Sequence, residues 1–171
     1  MTRPAQAPRI RIADEYDAAS MLLVEQAAQA LLVERGIHLE RLNLAVDLEE
    51  PTTWGLGLVA EMGGEVVGMA RLTELTPELV ALDQVSVTPK CAGQGVGRLL
   101  LVGVADEARK RGYRAITGTT FREVVFNAPF YASLGCVEDL DPHPVMVHRR
   151  RIESDLGLDD LGPRIIMRLT L

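Results

Sequence analysis

Aromatic residues are scarce: 3 Phe, 3 Tyr and 1 Trp among 171 residues, 4% of the chain. A core of this composition is aliphatic, and the shortage counts against a nucleic-acid platform of stacked rings. Cysteine is scarcer still. Cys91 and Cys136 could form one bridge at most, so no disulfide framework holds the fold, and a reduced cytoplasmic chain is expected. Long apolar runs are absent: Leu99 to Ala105 falls far short of the roughly 20 residues that span a membrane. Met1 to Pro8 carries no apolar signal-peptide stretch, and no membrane partner is expected. His38, His143 and His148 fall at no metal-ligand spacing and no cysteine pair supports zinc, so no metal site is expected. Lysine numbers 2 against 16 arginines, as GC-rich bacterial coding favours.

What is present suits one soluble α/β domain spanning residues 1–171. Hydrophobic residues make up 47% and charged residues 25%. The net charge of −6 counts against a generic nucleic-acid partner. That charge divides unevenly. Residues 1–85 carry 6 basic and 14 acidic side chains, while residues 86–171 carry 12 and 10. An anion site is therefore easier to build in the second half.

After a loosely held start around Pro4 and Pro8, Arg9–Ile12 alternates as a strand. Asp14 offers a helix N-cap for residues 15–35, with Ala18, Met21, Leu22 and Leu32 in its apolar set and Gly36 as its stop. A shorter helix is predicted over residues 39–50, ended by Pro51. Strands are predicted over 56–62, 65–74 and 79–87, the first two joined by the hairpin signal Gly63-Gly64. Residues 91–97 form a glycine-rich loop. A helix over 96–111 then presents Leu99, Leu100, Val102, Val104 and Ala108 to the core and stops at Gly112. Strand 114–119, helix 128–134, strand 136–140, helix 145–156 and strand 164–171 complete a mixed α/β order.

The loop is the most informative segment. Val87-Thr88-Pro89 ends a strand, Gly93-Gln94-Gly95-Val96-Gly97 follows, and Arg98-Leu99-Leu100 opens a helix. Glycine allows positive φ and close approach of a ligand, and amides at a helix start cradle phosphate oxygens. The pattern points to a phosphorylated ligand. It is not the dinucleotide fingerprint, which needs glycine at Arg98 or Leu100, nor an ATP-binding P-loop, which needs Gly-Lys-Ser/Thr.

The spacing resembles the acetyl-coenzyme A signature of the GNAT N-acetyltransferase superfamily. Ala92 departs from it, standing where the family usually has Arg or Gln; Lys90, Gln94 or Arg98 could compensate. About thirty residues later, Asn127-Ala128-Pro129-Phe130-Tyr131-Ala132-Ser133-Leu134-Gly135 resembles the family's second motif, with Cys136 in place of the usual Phe. The likeness covers residues 9–171 in element order and residues 82–136 at motif level.

The resemblance implies a central, mostly antiparallel sheet of six to seven strands flanked by helices. It implies acetyl transfer from acetyl-CoA directly to a primary amine, with a non-catalytic acyl-CoA sensor on the same fold as the alternative. Gly93, Gln94, Gly95, Val96, Gly97 and Arg98 would hold the diphosphate. Val85, Ser86 and Val87 would pair with the pantetheine arm, and Asn127 would bond the cofactor or cap its helix. Tyr131 would be the general acid for the departing thiolate. Asp83 is the leading carboxylate to take the amine's proton, with Glu61 and Glu123 as rivals. Cys91 is expected to be passive. Residues 149–151 are expected to be a solvated basic face or a contact for the cofactor's 3′-phosphate. The acceptor is expected to be a small molecule, framed by the first two helices, the loop near Trp54 and residues 141–162. The acidic first half favours a cationic amine such as a polyamine or aminoglycoside. Dimers are common in the family, so a homodimer is a further expectation.

Overall fold

A computed structural model describes residues 7–34 and 56–171. The helix expected over 39–50, together with Gly36, His38 and Trp54, lies outside the described residues. Seven strands form one sheet: β1 Arg9–Ile12, β2 Leu56–Met62, β3 Glu65–Thr76, β4 Leu79–Val87, β5 Ala115–Phe121, β6 Val137–Glu138 and β7 Arg164–Thr170. Their order is β1-β2-β3-β4-β5-β7-β6. Every neighbouring pair is antiparallel except β4–β5.

The helices are α1 Ala18–Glu34, α2 Val96–Lys110, α3 Ala128–Ala132 and α4 Pro144–Asp155. Helix α2 is the crossover that parallel strands require, and it covers one face of β1 to β5. Its buried residues are Val96, Leu100, Val104, Ala105 and Ala108, a stripe at helical spacing that packs on Leu58, Val67, Leu72, Val80 and Ile116. Leu99 and Val102, expected in that stripe, are 42% and 49% exposed. At about 100° per residue, Leu99 sits one step and Val102 two steps around the helix from Leu100, which carries both off the buried line. Gly103 lets α2 approach β1: a Cβ there would stand 2.7 Å from Ile10.

Helix α1 covers the opposite face, where Met21 and Val24 meet Val59 and Met69. Leu22, expected in its apolar set, is exposed. The chain enters α1 through a 3₁₀ turn, Glu15–Asp17, closed by a reciprocal capping box between Asp14 and Asp17. The Arg11 guanidinium then grips buried Asp17 through two hydrogen bonds of 2.6 and 2.9 Å. Those bonds hold the Asp17 carboxyl below its ordinary value of 3.8, against the opposing effect of burial.

A depressed folded value means a contribution that is complete above pH 3.8 and is lost as pH falls below it. Asp17→Asn is expected to lower stability at pH 7 by about 1.5–3 kcal/mol, the worth of charge-assisted hydrogen bonds. Urea unfolding should show the gap to the parent narrowing in acid.

Candidate acyl-transfer site

Strands β4 and β5 pair over only three positions: Leu79 with Ala115, Val80 with Ile116 and Ala81 with Thr117. Beyond Ala81 they part. At the parting, Gly118 admits the backbone of Leu82 so closely that a Cβ would stand 3.0 Å from the Leu82 oxygen. One residue on, β4 bulges. Arg71 of β3 faces Gln84 and Leu72 faces Leu82, leaving Asp83 without a ladder partner.

The far half of β4 then presents an open edge. The Thr88 N–H donates to the Val67 oxygen at 2.8 Å, and the ladder is regular from Val85 to Val87. Backbone groups alternate sides along a strand, so the N–H and C=O of Val85 and Val87 point away from β3, toward the gap. Their side chains pack with the α2 core, and Ser86 is buried on the α1 face, accepting from the Gln84 amide at 2.8 Å.

Helix α2 begins at the mouth of this gap. The first intrahelical bond runs from the Leu99 N–H to the Gly95 oxygen, leaving the amides of Val96, Gly97 and Arg98 ahead of it. Gly95 is the N-cap at φ 82° and supplies no side chain to satisfy them. Gly93 is also left-handed, at φ 74°, and a Cβ at either glycine would meet nothing within 4 Å. The cradle is open to a ligand, and free amides at a helix N-terminus suit an anionic diphosphate.

Helix α3 stands across the gap. Its Phe130 ring lies 3.4 Å from where a Gly97 Cβ would be, with Val87 at 3.7 Å. Arg98 donates to the Ser133 oxygen at 3.3 Å. Tyr131 follows Phe130, packed with Ala128, Cys136, Ile165 and Met167. Burial pushes its phenol well above the ordinary value of 10, and the neighbouring Cys136 thiol adds to the shift. The phenol keeps its proton through neutral pH and beyond, as a proton donor must.

Several expected roles change. Lys90 is paired with Glu65 at 2.7 Å, and the Gln94 amide donates to the Lys90 oxygen. Among the three residues that could compensate for Ala92, exposed Arg98 is thus the one standing between α2 and α3. The Asn127 side chain makes no capping bond, because its backbone (φ −114°, ψ −112°) lies outside the usual extended N-cap conformation. Glu61 is bound to Arg11 at 3.2 Å on β2, two strands from β4. Glu123 is exposed in the loop after β5. Cys91 is buried in the α2 core and Cys136 is half-buried; both are free thiols. His143 caps α4, and no metal-binding cluster occurs among the described residues.

The basic run on α4 is not a plain solvated face, since two of its arginines are paired. Arg149 bonds Asp83 at 2.9 Å, and Arg150 bonds Asp159. Asp83 also accepts from the Thr73 hydroxyl at 2.6 Å. Sequence reasoning missed Arg149 as a partner of this carboxylate, since 66 residues separate the two.

Residues 22–136 match the model of the acetyltransferase (GNAT) family. The chain belongs to that family. The GNAT fold is equally plain in solved structures. N-acetylglutamate synthase of Neisseria gonorrhoeae, complexed with coenzyme A and N-acetylglutamate, superposes with a TM-score of 0.67 at 21% identity over 96% of this chain, which spans 35% of that longer protein. The ribosomal-protein-S18-alanine N-acetyltransferase of Escherichia coli gives 0.64 at 19% identity, over 96% of this chain and 94% of its own. YhbS, a GNAT N-acetyltransferase of Escherichia coli in complex with CoA, gives 0.57 at 25% identity, over 80% and 72%.

Because Gly97 receives both Phe130 and Val87, a branched side chain there must displace them. Gly97→Val is expected to cost about 1–3 kcal/mol, the usual penalty of overpacking, measured by thermal or denaturant unfolding.

Proposed function

We propose that this GNAT domain transfers an acetyl group from acetyl-CoA directly to the primary amine of a small molecule. The observation that carries this reading is the unpaired backbone of Val85 and Val87, set beside the free amides of Val96, Gly97 and Arg98. One edge can pair with the amide-bearing pantetheine arm as a strand would, and the other can hold the diphosphate. An N–H on the open edge is placed to stabilise charge developing on the thioester oxygen.

Holding both reactants at one gap supplies the proximity that direct attack requires. Tyr131 donates the proton that the departing thiolate needs. Asp83 takes the proton that the ammonium must lose, directly or through water, with the Thr73 hydroxyl fixing its carboxylate. Asn127, with no capping bond of its own, is available to the cofactor.

Tyr131→Phe is expected to lower kcat about 100-fold, as loss of a general acid does. Acetyl-CoA affinity should stay unchanged by calorimetry; an unchanged kcat would remove Tyr131 from the role. Gly95→Glu puts a side chain at a left-handed position and an acid among the amides, so acetyl-CoA binding should fall below detection. Ala92, in place of Arg or Gln, favours the sensor alternative. A thermal shift with acetyl-CoA, but no thiol release across a broad amine panel, would decide for it.

A further inference from the structure

On the sheet face that α1 covers, β3, β4 and β5 present Arg71, Thr73, Asp83, Gln84, Ser86, Thr117 and Thr119. The alternation of β5 fixes this. Ile116 packs into the α2 core, so Thr117 and Thr119 point the other way. Helix α4 reaches the same face, because the Thr119 hydroxyl donates to Glu153. Here the amine would meet Asp83.

The charges on this face come in opposite pairs. Asp83 is matched by Arg149 at 2.9 Å, Glu153 by Arg164 at 3.1 Å, and Glu25 by Arg71 at 3.8 Å. Two of these pairs hold their arginines tightly: the Arg71 and Arg164 side chains are 10% and 9% exposed. Arg149 is the exception at 37%, standing over a carboxylate that is 22% exposed at the point where β4 bulges away from β5. Among these described residues, a polycation would find no uncompensated carboxylate and would meet a guanidinium at the gap. The acidic excess of residues 1–85 therefore does not carry over to the described part of this face.

We propose that the acceptor is an amine carrying its own anionic group, carboxylate or phosphate, a few bonds from the nitrogen. The ammonium replaces Arg149 against Asp83, and the freed guanidinium takes the anion. A guanidinium presents its donors as a planar fork that fits either oxyanion. Both halves of the ion pair are satisfied again once the acceptor is bound, so opening the pair leaves no charge unpartnered.

This inference rests on the acetyl-transfer reading, and the test separates the two. Thiol release from acetyl-CoA is measured with matched amines: leucine against isoamylamine, lysine against cadaverine, phosphoethanolamine against ethanolamine, and spermidine alone. The anionic member of at least one pair should have the higher kcat/KM by at least about tenfold, the scale of one charge-assisted hydrogen bond. The amino-acid and phosphate arms tell carboxylate from phosphate. In Arg149→Gln that ratio should fall toward one, and Arg149→Lys should restore part of it, a pattern that mere loss of stability would not produce. Equal or better turnover of spermidine and the uncharged-tail amines overturns the inference and leaves acetyl transfer standing. If no amine releases thiol although CoA binds, acetyl transfer fails. Calorimetry of the same amines with the CoA-loaded protein then decides: binding of an anionic amine that Arg149→Gln abolishes supports the inference, and no such binding overturns it.

Discussion

The site depends on the parting of β4 and β5 after three paired residues. A parallel pair that continued would bury the backbone of Val85 and Val87 in a ladder and leave no edge for a ligand. Gly118 still lets the two strands touch at Leu82, and the extra residue at Asp83 bends β4 just beyond that contact. An unpaired strand edge in mid-sheet is normally a hazard for aggregation. Here the start of α2 and Phe130 of α3 stand beside its end at Val87.

The second constraint is charge matching. Glu25 is 3% exposed, one of its oxygens has no hydrogen-bond partner, and burial pushes its carboxyl up against the opposing pull of Arg71. Breaking such a buried pair by removing one member typically costs about 3–5 kcal/mol. The Glu25–Arg71 pair thus ties α1 to β3 at a level beside Gln84, close to where β4 bulges. The Asp83–Arg149 pair links β4 to α4 across the gap. The two resemble each other in composition and differ in exposure, the Arg71 side chain being 10% exposed and that of Arg149 37%.

Periodicity and glycine placement carried most of the architecture. The β4 range of Leu79–Val87, the Gly63-Gly64 hairpin and the start of α2 at Val96 are all legible because each follows from nearest neighbours in the chain. Leu99 and Val102 were not, since an aliphatic-rich helix offers more apolar residues than its buried stripe accommodates. The Asp83 bulge is invisible in one strand alone; it exists only relative to the register of β3. Arg149 meeting Asp83, and Arg11 meeting Glu61, are products of folding that no local pattern announces. The left-handed turns of the loop at Gly93 and Gly95 were legible, while the electrostatic surroundings of the candidate base were not.

One consequence of the short β4–β5 ladder concerns the whole molecule. The sheet amounts to two smaller sheets, β1 to β4 and β5 to β7, sewn along a seam three residues long with α2 laid across it. A ligand chain threaded into the seam would act as a removable eighth strand. The two halves would then be coupled most firmly while substrate is present and least firmly after it leaves, so the domain's mechanical unity would itself follow the turnover cycle.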